Sequence, residues 1–213
     1  MKTILNGIFN ENPVAVLLLG LCSTLAVTNK VENAYLMGIC VIVVMILSEM
    51  SISLIRKLVP ENVKIPTYII IVGTFVTVLE LLLATYVKPL YDVLGIYLPL
   101  IVVNCIVLGR CIQTASKENV LKSALDGFGI GLGYTFVLLI ISVIREVLGS
   151  NTITLMDSIS TLTGYKAVYQ IFPTSDFFPI RFLVEPAGAF LTLALFIAFV
   201  NYMKSKGGKH ESN

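Results

Sequence analysis

The chain has 213 residues, 56% of them hydrophobic and only 13% charged, with a formal net charge of +2. Ordinary globular domains carry roughly 25% charged residues, so these charges are too few to build a soluble surface, and a mean hydropathy of +0.90 points to lipid as the solvent. So small a net charge also argues against nucleic acid as a partner.

The amino terminus has the outline of a secretory leader: Lys2, an apolar run from Val14 to Leu21, then Thr24-Leu25-Ala26. The same pattern recurs in mid-chain, so it is read as structure. A helix crossing the hydrocarbon core needs about 20 apolar residues. The first segment, Pro13 to Thr28, has 16 and is interrupted by Gly20-Leu21-Cys22-Ser23-Thr24. Ala34 to Ile55 and Pro66 to Val87 follow as full spans. The fourth segment, Ile96 to Gly109, has 14 residues and is broken at Asn104-Cys105. Ala124 to Leu148 and Phe182 to Met203 complete the series. At helical rise the two short segments reach roughly 24 and 21 Å, less than the roughly 30 Å core.

The short segments resemble each other. Cys22-Ser23-Thr24-Leu25-Ala26 and Cys105-Ile106-Val107-Leu108-Gly109 share Cys-x-x-Leu-small, and Glu32-Asn33 and Glu118-Asn119 precede the next long helices. The pattern predicts an all-α membrane protein of six helices in one domain. It divides into two three-helix repeats, about 12–88 and 95–204, with broken or half helices at the first and fourth segments. Three helices per repeat invert the second copy, and paired interrupted segments mark a functional site near the midplane. Lys and Arg fall ten to five in favour of the side bearing both termini, which predicts cytoplasmic termini and a cytoplasmic tail at 204–213. The external connection, about 149–180, carries Tyr165, Tyr169, Phe172, Phe177 and Phe178, which suit the membrane interface.

Cys22 and Cys105 are the main candidates for chemistry. A lone cysteine in a helix is usually a small hydrophobe, but these two are symmetric and each sits at a helix break. Breaks free backbone N–H groups that stabilise thiolates, and two cysteines supply half of an iron–sulfur cluster's usual four ligands. Cys40 and Cys111 have no counterparts and are read as packing residues. Intramembrane carboxylates are expensive and usually functional. Glu80 lies well inside its segment, whereas Glu49 is nearer a helix end, with an ion-paired or a functional role equally open. Asp126 opens an alternating glycine run to Gly133, best read as close helix packing. Arg145-Glu146 is read as a local charge pair, and His210 lies in a polar tail.

Three stretches are diagnostic together: Gly20-Leu21-Cys22 with Leu25-Ala26-Val27-Thr28, Leu98 to Arg110 ending Asn104-Cys105-Ile106-Val107-Leu108-Gly109-Arg110, and Ala124 to Gly133. They resemble the Rnf A/E and Na⁺-NQR D/E family of membrane subunits, with the Arg after Gly109 and the Asp-Gly-Phe stretch most like the Rnf E type. The resemblance implies an electron-transfer subunit in the bacterial inner membrane, within a complex coupling ferredoxin:NAD⁺ electron flow to Na⁺ or H⁺ movement. It implies a [2Fe-2S] cluster shared with a paralogous A-type subunit, with Cys22 and Cys105 as this chain's ligands. It also makes Glu80 and Asp126 candidate ion-path acids, and leaves nucleotide chemistry to sister subunits. Ser23 stands where many Rnf E-type relatives have Pro, which keeps the quinone-reductase D-type subunit as an alternative. A secondary transporter is the rival from another class, since it too uses inverted repeats and broken helices.

Overall fold

The computed structural model describes residues 19–150, 152–156, 167–170 and 185–207. Within these, an apolar core also takes in polar and charged residues, while large apolar side chains cover much of the surface. Ser23, Thr24, Glu32, Glu49, Asn104, Arg145 and Glu146 are buried, while Leu54, Ile70, Leu81, Leu82, Phe136, Phe190 and Phe199 are exposed. Such a surface is stable against lipid, and its interior needs internal hydrogen bonds.

Eight helices carry the fold among the described residues. A short α1 (Leu21–Val27) leads into the long α2 (Val31–Ile55). A single 3₁₀ turn, Glu61–Val63, starts α3 (Lys64–Tyr86). The next segment is in pieces: α4 (Lys88–Leu94), α5 (Pro99–Val102) and α6 (Cys105–Arg110), closed by a π turn at Cys111–Ala115. The long α7 (Val120–Ser150) follows, and α8 (Pro186–Gly207) ends the described chain. Three helices are long and apolar enough to cross a membrane, or four if the pair bent by 60° between Lys88–Leu94 and Pro99–Ala115 forms one broken span. Within α8 the apolar stretch Pro186–Tyr202 is shorter, and 182–184 of the expected last span lie outside the described residues. So do 13–18 of the first segment and, in large part, the 149–180 connection. That connection adds an element the helical expectation lacked. Strand β1 (Thr152–Met156) pairs antiparallel with β2 (Ala167–Gln170), Ile153 opposite Tyr169 and Thr154 opposite Val168. β-Branched and aromatic residues favour strands.

The molecule is organised about the crossing of α2 and α7. At its centre a Cβ on Gly131 would lie 2.7 Å from Ile42 Cγ1. To one side Gly38 lies against Thr135, and to the other Gly127 faces Glu49. These pairs make the helices antiparallel, and small residues let their backbones approach. The ends are tied in matching ways. Arg56 Nη1 and Ser53 Oγ both donate to the Glu118 carbonyl, at 2.6 and 2.8 Å, just before α7 begins. At the opposite end Arg145 Nη1 donates to Thr28 Oγ1 at 2.7 Å and to the Leu25 carbonyl at 3.3 Å, just before α2 begins. One offset in residue number relates Gly38 to Gly127, Ile42 to Gly131 and Arg56 to Arg145. The flanking helices match too: α3 packs on α5 and α6, and α8 packs on α1.

Arg145 and Glu146, expected as a local charge pair, also reach other elements. Arg145 closes the C-terminal end of α1, and Glu146 Oε2 accepts the first N–H of α2, from Val31, at 2.6 Å. A carboxylate at a helix N-terminus and a cation at a C-terminus both complement the helix dipole. The glycine run is a packing device, as expected. Replacing Gly131 by Leu should therefore force α2 and α7 apart at a cost of roughly 1–3 kcal/mol. In detergent-purified protein this reads as a Tm lowered by several degrees; an unchanged Tm would contradict the close approach.

Candidate functional site

Cys22 and Cys105 each occupy the first turn of a short helix, α1 and α6, and both are exposed. Each helix begins at a backbone break. Gly20, the residue before α1, has φ of +74°, a left-handed conformation that a side chain would strain. Any Cβ there would also meet Ile106 Cδ1 at 2.5 Å and Asn104 Oδ1 at 3.2 Å. Asn104, the residue before α6, is extended, and its Oδ1 caps the helix by accepting the Ile106 N–H at 3.0 Å. The two breaks therefore touch: the caps of both cysteine-bearing helices are in contact.

A buried polar knot holds the breaks together. Ser23 Oγ donates to the Gly20 carbonyl at 3.0 Å and accepts from Asn104 Nδ2 at 3.1 Å. Tyr134 Oη lies 2.7 Å from Ser23 Oγ. A hydroxyl has one proton to give, so with Ser23 donating to Gly20, Tyr134 is the donor in that contact. Thr24 Oγ1 adds a 2.9 Å bond to the same carbonyl. Tyr134 sits near the middle of α7 and is fully buried, so the knot lies at mid-helix depth. Of its members, the sequence singled out Ser23, Thr24 and Asn104 only as interruptions, and Tyr134 not at all. A lone tyrosine inside a membrane helix was the available signal.

The other candidates fall elsewhere. Glu80 on α3 is half-buried and accepts a long 3.4 Å bond from the Tyr91 hydroxyl of α4. Asp126 lies near the start of α7, 3.7 Å from Arg110 Nε. It faces Glu49, which in turn faces Cys111, and Cys111 faces Tyr68 on α3. Glu80 is twelve residues beyond Tyr68, about 18 Å along the helix, so these two acids do not share one site. Cys40 and Cys111 are buried, as packing residues should be. Among the described residues no three His, Cys, Asp or Glu side chains are grouped to hold a metal.

The architecture defines a class: a helical membrane protein whose two broken helices meet at their caps and each present one cysteine. Comparison with known proteins agrees. The family model described as "Rnf-Nqr subunit, membrane protein" matches residues 1–197, and the chain belongs to that family. It is 40% identical over 206 residues to the E subunit of the Na⁺-translocating ferredoxin:NAD⁺ oxidoreductase complex of Acetobacterium woodii, covering 97% of this chain and 98% of that one. It is likewise similar to the E subunit of the ion-translocating oxidoreductase complex of Vibrio vulnificus, 40% identical over 96% of this chain and 89% of the other. For the Vibrio cholerae counterpart the figures are 43%, 91% and 84%.

Replacing Asn104 by Leu removes both a helix cap and the donor to Ser23. It should lower stability by roughly 1–3 kcal/mol, whereas Tyr134→Phe, which loses one hydroxyl bond, should cost about 1 kcal/mol. Thermal unfolding of the purified protein checks the order; equal, negligible effects would remove the knot from the account.

Proposed function

We propose that the chain is the E-type subunit of an Rnf-type complex, an electron conduit in the bacterial inner membrane that supplies two thiolate ligands, Cys22 and Cys105, to a [2Fe-2S] cluster shared with a paralogous A-type subunit. The observation that carries this is the pairing of the two cysteines on helices whose caps touch, both sulfur-bearing residues exposed. Buried structural cysteines are inert, and Cys40 and Cys111 are of that kind. An iron–sulfur centre takes four cysteine thiolates, so a chain that offers two in this position fits half of a ligand set and needs a second chain to complete it. When bound, the group supplies one-electron transfer.

The protein's own contribution is to hold both cysteines on rigid helix starts and to keep backbone groups at the breaks satisfied without water. Two inverted three-helix repeats are favoured by the matched contacts across the α2–α7 crossing and by the reciprocal packing of α3 and α8. The relatives named as E subunits of ferredoxin:NAD⁺ or ion-translocating oxidoreductases favour the Rnf type over the quinone-reductase D-type subunit. Ferredoxin, flavin and NAD⁺ chemistry then belongs to sister subunits, and both termini of this chain face the cytoplasm. Asp126 and Glu80 are the candidate acids for passage of Na⁺ or H⁺, at separate points along the path.

Cys22→Ser and Cys105→Ser, each introduced into the whole complex, should abolish the same [2Fe-2S] EPR signal and stop ferredoxin-dependent NAD⁺ reduction, while the complex still assembles. An unchanged spectrum in either variant would remove that residue from the ligand set.

A further inference from the structure

At the end of the α2–α7 crossing nearest Arg56 and Arg110 lies a polar cluster that the cysteine pair does not use. Glu49 is fully buried; the Gly127 backbone N–H faces its carboxylate, but neither oxygen completes a well-formed hydrogen bond among the described residues. It rests against Gly127, where an added Cβ would lie 3.3 Å from the carboxyl carbon, so the bare glycine backbone makes the room it occupies. The charged and titratable groups facing it are Asp126 from α7, Arg110 from α6 and Cys111 from the π turn. Tyr68 of α3 lies beyond Cys111. The Tyr68 hydroxyl and Ser123 Oγ, one turn before Asp126 on α7, are also buried without partners among the described residues.

The charges do not balance. Arg110 lies 3.7 Å from Asp126 and also faces Glu49, so among the described residues two carboxylates share one cation. An uncompensated carboxylate is costly away from water, so one further positive charge belongs here. A cavity of about 290 Å³, lined by Thr114, Glu118, Lys122, Leu125 and Asp126, opens beside the cluster. Asp126 is common to both, and Lys122 in its wall is already paired with Glu118 at 3.2 Å. Thr114 belongs to the π turn, an irregularity that often marks functional sites.

We propose that Glu49 is the binding group for one monovalent cation, a proton or Na⁺, which reaches it from the aqueous phase through the cavity at Asp126. This rests on the reading of the chain as part of an ion-moving complex, and it adds to that reading a specific acid, an entrance and a stoichiometry of one charge. Protonation neutralises the carboxylate outright. Na⁺ takes hard oxygen ligands, and the carboxylate oxygens at hand are those of Glu49 and, on the facing helix, Asp126.

The test uses the whole complex in proteoliposomes, with wild type and Glu49→Gln compared for Na⁺ uptake, proton movement and the [2Fe-2S] EPR signal. Glu49→Gln should keep the EPR signal, while cation movement per electron, or the apparent affinity for the cation, falls by roughly tenfold or more. In parallel, dicyclohexylcarbodiimide, which attacks protonated carboxyls in apolar surroundings, should modify Glu49 in the wild type, as read by peptide mass spectrometry. Slowing of that reaction by added NaCl assigns Na⁺; slowing by raised pH alone assigns the proton. Either supports the site. Wild-type coupling retained in Glu49→Gln would overturn it, and so would loss of the EPR signal in that variant, since Glu49 would then serve the fold. A wild-type complex that moves no cation overturns instead the ion-moving reading on which the site depends.

Discussion

Lipid offers no hydrogen bonds, so a helix can be broken inside a bilayer only where the protein itself satisfies the backbone groups that the break releases. Everything about the cysteine pair depends on that constraint. Gly20 and Asn104 interrupt the chain at two places; each interruption is repaired by its own neighbours, and a further bond ties the two together. Ser23 takes the Gly20 carbonyl, Asn104 takes the Ile106 N–H, and Ser23, Asn104 and Tyr134 join the two sets of bonds. The breaks are mutually stabilising, which is why the two cysteines that follow them are brought to the same part of the molecule.

The same economy governs the ends of the long helices. Arg145 is buried because the C-terminal carbonyls of α1 need a donor, and Glu146 because the first N–H of α2 needs an acceptor. Arg56 does the corresponding service at the Glu118 carbonyl. Glycines at the α2–α7 crossing then set the helix separation that lets these long side chains reach. Packing in lipid gains little from hydrophobicity itself, so close backbone approach and buried hydrogen bonds carry the specificity. Glu49 stands outside this pattern. It is buried as deeply as the capping residues, yet among the described residues no well-formed hydrogen bond holds its carboxylate.

Much of this was legible in the sequence, for physical reasons. Apolar length marked the spans, since the core thickness is fixed: Ala34 to Ile55 lies within Val31–Ile55, and Pro66 to Val87 nearly coincides with Lys64–Tyr86. Undersized segments carrying Gly20 and Asn104 marked the breaks, because those residue types supply left-handed and capping conformations. What could not be read were contacts between residues distant in the chain. Arg145 and Glu146, adjacent in number, suggest a local pair, and only the fold shows that they also serve the ends of α1 and α2. Tyr134 looked like one more ring in an apolar helix. The ribbon of Thr152–Met156 with Ala167–Gln170 was hidden for a similar reason, since β pairing of two short strands depends on the fold around the connection. Glu49 stands out in the sequence, but that it shares one cation, Arg110, with Asp126 depends on what α6 and α7 bring beside it.

The central claim concerns sulfur atoms, and a density map of the intact complex tests it most directly. The account predicts strong density for two irons bridging Cys22 and Cys105 of this chain to two cysteines of a neighbouring subunit. Sulfurs of Cys22 and Cys105 packed against aliphatic side chains, with no metal between them and a second chain, would contradict it.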